Sequence, residues 1–206
     1  MKVLLINGSP HKEGSVFTAL SEVAGELNKQ GIETEVFHIG TQPIMGCTAC
    51  RACAETGYCV YKNDPVNECV DLANKADGII VGSPVYYASP NGALCAFLDR
   101  MFYLKSSKYA YKPAAAVVNC RRGGASTAFD VLNKYFTISN MLVVGSQYWN
   151  DTHGTEPGEV KQDLEGLQTM RTLARNMAWL LKCLEVAKAT VPYPVKEPRQ
   201  STSFIR

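Results

Sequence analysis

Four of the chain's eight cysteines crowd into residues 47–59 as Cys47-x-x-Cys50-x-x-Cys53-x5-Cys59. Two-residue gaps let successive thiolates converge on one small object, and C-x2-C-x2-C with a fourth cysteine downstream is iron–sulfur spacing. Zinc can use four such ligands, although it more often takes two separated C-x-x-C knuckles. A redox-active dithiol is a third reading. A second concentration of chemistry, Gly8-Ser-Pro-His-Lys-Glu-Gly-Ser15, stands between an apolar run and an amphipathic segment. That order reads as strand, tight turn and helix N-terminus, whose outward N–H groups make an anion seat. G-x-x-x-x-G-K-[ST] is absent, since Gly8 and Gly14 lie one residue too far apart and Ser15 stands where lysine belongs. G-x-G-x-x-G is absent too. Ser9, Lys12, Gly14, Ser15 and Thr18 remain, a set of hydroxyls and amides suited to one terminal phosphomonoester. An ordinary βα turn with an N-capping serine is the plainer alternative.

Two later turns carry complementary groups. Ser83-Pro-Val-Tyr-Tyr-Ala-Ser-Pro90 offers Tyr86 and Tyr87 beside backbone amides, a surface for a flat aromatic ring. Cys120-Arg-Arg-Gly-Gly124 offers Gly123 and Gly124, whose missing side chains let the backbone approach a ligand's polar edge. Arg121 or Arg122 adds positive charge there. Singly, these are equally core aromatics and a plain turn; jointly, a phosphate seat and a planar-ring surface describe FMN. Cys69, Cys95, Cys120 and Cys183 lie in apolar surroundings and read as small core hydrophobes.

The turns need elements that bring them to one edge. Apolar runs at 2–7, 32–39, 78–82, 114–119 and 141–146 read as strands. Helical spacing covers 16–30, 65–76, 91–103, 125–136 and 159–185. This alternation predicts an α/β, flavodoxin-like three-layer sandwich with a five-stranded parallel sheet of order 2-1-3-4-5. Ligands then bind beyond the strands' C-terminal ends, where all three turns fall. Residues 40–64 have no period and form a Cys-rich insertion in a domain spanning 1–190, followed by a Pro-rich tail at 191–206.

The chain's 206 residues suit one domain, and its formal net charge of +2 gives no strong field for nucleic acid or an acidic membrane. No apolar run approaches the roughly 20 residues that span a bilayer. Met1-Lys2 leads straight into a strand without a signal-peptide pattern, so a cytoplasmic location is expected.

Gly8–Ser15, Ser83-Pro-Val-Tyr-Tyr87, Phe97-Leu-Asp-Arg100 and Cys120–Gly124 resemble the NADPH-dependent FMN reductase family, and within it the iron–sulfur flavoproteins. The likeness runs to the closing Ser203-Phe-Ile-Arg206. It implies that Ser9, Gly14, Ser15 and Val16, with Lys12, hold the FMN phosphate. Pro84, Val85, Tyr86 and Tyr87 would lie along the isoalloxazine, and Asn119, Cys120, Gly123 and Gly124 would meet its polar edge. It further implies a [4Fe–4S] cluster on Cys47, Cys50, Cys53 and Cys59, with electrons passing between cluster and FMN across a subunit interface. One departure is Cys95, which stands where many relatives carry a lysine.

Two functions follow from the resemblance. In one, FMN takes a hydride from NADPH or NADH and passes electrons to a flavin, quinone or protein acceptor; position and electrostatics suffice, and no catalytic dyad is expected. In the other, FMN and a cluster exchange single electrons with ferredoxin-like partners. A phosphatase or nucleotide-binding module is a third class. His153 reads as a solvated loop residue, and the tail is expected to cross a neighbouring subunit in a homodimer or homotetramer.

Overall fold

The computed structural model describes residues 1–198, 200 and 202. Ser203-Phe-Ile-Arg206 therefore lies outside the described residues. The organising strand is β1 (Lys2–Asn7), buried on both faces, which is why its sequence is almost continuously apolar. Its side chains alternate between two layers. Leu4 and Ile6 pack with α3 (Val66–Lys75), α4 (Gly92–Lys105) and α5 (Ala125–Ile138), whereas Val3 and Leu5 pack with α1 (Ser15–Lys29) and α7 (Leu164–Ala187).

Parallel to β1 run β2 (Glu33–His38) on one side and β3 (Gly78–Tyr86) on the other. Next to β3 lies β5 (Pro113–Cys120), every residue of which is buried. The α/β three-layer arrangement is as expected, but the sheet corrects the expected five strands in order 2-1-3-4-5. It has seven, in order β2-β1-β3-β5-β6, with β4 (Ser89–Pro90) antiparallel to β3 and β7 (Asp151–His153) parallel to β5.

Two local events add those strands. After β3 the chain reverses through Tyr87 and Ala88, at φ of 51° and 56°, so that Ser89 and Pro90 return beside Tyr86 and Val85. The final strand expected at 141–146 pairs with β5 only through β6 (Leu142–Val143), then leaves the edge and rejoins it at β7. The intervening turn is tied to itself, with Ser146 Oγ 2.6 Å from the Tyr148 carbonyl and 2.8 Å from Asn150 Oδ1.

The helix expected over 159–185 is likewise divided, into α6 (Pro157–Val160) and α7. Asp163 caps α7: Oδ1 accepts from Gly166 N at 2.9 Å, and Oδ2 accepts from His153 N at 2.7 Å. One carboxylate thus joins the end of β7 to the start of α7. A short α2 (Cys53–Thr56) lies inside the cysteine-rich segment. In the tail, Tyr193 stacks on Tyr111 of its own chain with ring centroids 4.9 Å apart. Among the described residues, no helix is long and apolar enough to cross a membrane.

Of the cysteines expected in the core, Cys69 and Cys120 are buried and Cys95 is half-buried. Cys183 is exposed, because it lies on the outer side of α7 near the exposed Trp179 and Val186.

Candidate functional site

The turn after β1 is built by the protein's own amides. Asn7, fully buried at the strand's end, accepts from Ser9 N at 3.0 Å and donates to the Lys12 carbonyl at 3.1 Å. Ser9 Oγ accepts from His11 N at 3.1 Å, and His38 Nε2 lies 2.8 Å from the Ser9 carbonyl. Asn91 Nδ2 donates to the Gly8 carbonyl at 2.7 Å, which couples this turn to the one after β3. These contacts leave the first turn of α1 unserved, for Gly14 precedes it and no side chain caps it. Uncapped N–H groups at a helix N-terminus, with the helix dipole behind them, favour an anion.

That N-terminus opens on a cleft of about 740 Å³, within the range of small-molecule and cofactor sites. Ser9, Lys12, Gly14, Ser15 and Val16 line the end beside α1, with His11 and Glu13. Pro84, Val85 and Tyr86 line one side, and Asn119, Cys120 and Arg121 come from the end of β5. Burial pushes the Cys120 thiol up, with Asp151 adding to the rise.

Three expected contacts lie off the cleft's lining. Tyr87 is fully exposed at the tip of the β3–β4 turn. Gly123 has open space around it. Gly124, at φ 88°, sits under that turn, where an added Cβ would come 2.7 Å from Ala88 Cα and 3.1 Å from Val85 Cγ1. The protein's own packing therefore accounts for glycine at 124.

A fourth wall was not anticipated. Gly154, Thr155, Glu156 and Pro157, just beyond β7, close the far side. Thr155 N donates to Glu159 Oε2 at 2.6 Å, a bond that holds the Glu159 carboxyl below its ordinary value. Asn119 Nδ2 donates to the Thr152 carbonyl and hydroxyl, each at 3.1 Å, and so fixes this wall to β5. The available signal was His153-Gly-Thr-Glu-Pro157, a turn after a polar strand. His153 itself is exposed, with Nδ1 3.7 Å from Asp163 Oδ2.

The four clustered cysteines line a separate, small cavity with Arg100, Tyr103 and Leu104 of α4. It shares no lining residue with the cleft. Cys59 is held from two sides: its N–H donates to Asn67 Oδ1 at 2.8 Å, and its carbonyl accepts from Asn67 Nδ2 at 3.0 Å. Between the first three cysteines, Ala49 and Arg51 adopt φ of 53° and 61°, a left-handed conformation that L side chains rarely take. Burial pushes the Cys53 thiol up, and Cys50, Cys47 and Cys59 add to the rise. Among the described residues, no three His, Cys, Asp or Glu side chains are grouped to hold a single metal ion.

A family model described as NADPH-dependent FMN reductase matches residues 1–156. An iron–sulfur flavoprotein of Methanocaldococcus jannaschii is 33% identical over 193 residues, covering 90% of this chain and 100% of that protein. Among solved structures, RosB with bound 8-demethyl-8-formylriboflavin-5'-phosphate aligns with a TM-score of 0.71 at 13% identity, covering 100% of this chain and 93% of RosB. A WrbA-like flavodoxin from Agrobacterium tumefaciens aligns with a TM-score of 0.62 at 15% identity, covering 88% and 97%. The chain, an FMN-dependent oxidoreductase of flavodoxin-like fold similar to the iron–sulfur flavoproteins, belongs to the NADPH-dependent FMN reductase family.

Proposed function

We propose that the cleft holds FMN and that the protein moves electrons from NADPH or NADH to a flavin, quinone or protein acceptor. The observation that carries this reading is the uncapped N-terminus of α1 facing, across one cleft, the ends of β3 and β5. The amides of Ser15 and Val16, with Ser9, Lys12 and Gly14, would seat the phosphate. Pro84, Val85 and Tyr86 would lie along the ring, and Asn119, Cys120 and Arg121 would meet its polar side. FMN supplies hydride and single-electron chemistry when bound; the chain's residues bind it, orient it and shape access to it. The family's description favours NADPH as donor.

Two measurements test this. FMN should bind at least tenfold more tightly than riboflavin, since a phosphate at a helix N-terminus gains charge-assisted N–H bonds of about 1.5–3 kcal/mol. Equal affinity would remove the phosphate seat. Anaerobic addition of NADPH should then bleach the flavin within seconds.

The cysteine cavity favours a second reading, an electron carrier with a [4Fe–4S] cluster on Cys47, Cys50, Cys53 and Cys59. Four thiols of one short segment lining one cavity are the donor set an iron–sulfur cluster takes, and the left-handed backbone at Ala49 and Arg51 lies between the first three of them. A cluster would supply single-electron storage there. Anaerobic reconstitution should give about four irons and matching sulfide per chain. A flavin left unbleached by NADPH but reduced by ferredoxin would favour the carrier over the reductase.

A further inference from the structure

Arg100 is a buried cation on α4, 1% exposed, paired with Asp64, which is 5% exposed. Its fork is fully used. Nη1 donates to the Met45 carbonyl at 3.2 Å and to Asp64 Oδ2, while Nη2 donates to Asp64 Oδ1 and the Tyr61 carbonyl, both at 3.1 Å. Nε donates to Cys59 Sγ at 3.2 Å. Burial lowers the pKa of this guanidinium, but the bonds to Asp64 and Cys59 outweigh it and raise the value.

The carbonyl and carboxylate bonds suffice to anchor the segment from 45 to 64. The bond to sulfur does something more. A neutral thiol is a weak acceptor, whereas a metal-bound thiolate carries negative charge and accepts strongly. Hydrogen bonds to ligand sulfurs and net local charge are the levers by which a protein sets a cluster's potential.

We propose that Arg100 is a positioning residue that raises the reduction potential of an iron–sulfur cluster ligated at Cys59, and that Asp64 limits the rise. This rests on the cluster reading given above. The cluster becomes more negative when it takes one electron, so a buried guanidinium on its ligand sulfur stabilises the reduced state. The Asp64 carboxylate opposes that effect from the other side of the same guanidinium. Removing the cation and removing the anion must therefore move the potential in opposite directions.

The test uses the full chain, reconstituted anaerobically with iron and sulfide, with the potential read by titration followed by electron paramagnetic resonance. Arg100→Gln should lower the midpoint by at least tenfold in the one-electron equilibrium, about 59 mV, with iron and sulfide content unchanged. Asp64→Asn should raise it. Midpoints within twofold of wild type, or shifts of the same sign, overturn the proposal. If Arg100→Gln does not hold iron, Asp64→Asn decides: a rise supports the tuning role and no rise overturns it. Iron loss in both variants makes Arg100 a structural clamp and overturns it as well. A wild-type chain that takes up no iron overturns the cluster reading itself, and this inference falls with it.

Discussion

Gly124→Ala should damage both the stability of the protein and the wall of the cleft. At φ 88° a residue with a Cβ incurs left-handed strain of roughly 1–2 kcal/mol. The new methyl would stand 2.7 Å from Ala88 Cα and 3.1 Å from Val85 Cγ1, an overpacking that costs about 1–3 kcal/mol where backbone must yield. Together these give roughly 2–5 kcal/mol, which moves a urea midpoint down by about 1–2.5 M at a slope near 2 kcal/mol/M. The fluorescence of Trp149 and Trp179 follows the transition. Because Val85 lines the cleft, FMN affinity should fall as well. Gly123→Ala is the control: nothing lies within 4 Å of its added Cβ, so its midpoint should stay within about 0.25 M of wild type. A Gly124→Ala midpoint as close to wild type as that of Gly123→Ala would refute the packing argument.

Tyr87→Asn should stabilise the protein by roughly 0.5–1 kcal/mol, since Asn tolerates φ near 51° and a fully exposed tyrosine gives up no packing. FMN affinity should stay within twofold; a tenfold fall would return Tyr87 to the ligand surface expected from sequence. Glu26 is buried on α1 against Arg175 and Lys29, and the bond from Arg175 holds its pKa below the ordinary 4.5. A depressed folded value contributes stability that is present above pH 4.5 and lost as pH falls through the lowered value. The stability gap between wild type and Glu26→Gln should therefore narrow below pH 4.5; a constant gap from pH 7 to pH 3 would contradict the assignment.

The elements read most directly from sequence are those whose burial is set by their own pattern. Val3–Ile6, Ile79–Val81 and Ala114–Val118 are covered on both faces, so an unbroken apolar run betrays each. Ser89–Pro90 and Asp151–His153 have no such mark, because their pairing is decided by the exposed edge of a neighbouring strand. The site divides in the same way. Ser9 to Val16 follow β1 directly, so locating the strand locates the turn. Gly154–Pro157 reach the cleft only because β7 rejoins the sheet beyond an excursion. Arg100 was visible as the end of Phe97-Leu-Asp-Arg100, but its partners come from an aperiodic segment 36 to 55 residues away. Such a contact leaves no trace in spacing.

The break between β6 and β7 also governs what the sheet will accept from outside. A free sheet edge offers a row of amides to any extended peptide, and long flat edges seed aggregation. Here that rim is cut into runs of two and three residues, and between them Val144 and Asn150 are already bonded to Ala114 and Val118. The opposite rim, β2, runs six residues, and its Glu33 and Glu35 pair with Lys2 of β1, which sets hydrated charges of both signs beside that border. Neither border is a template, so concentrated solutions should stay free of sheet-extended filaments.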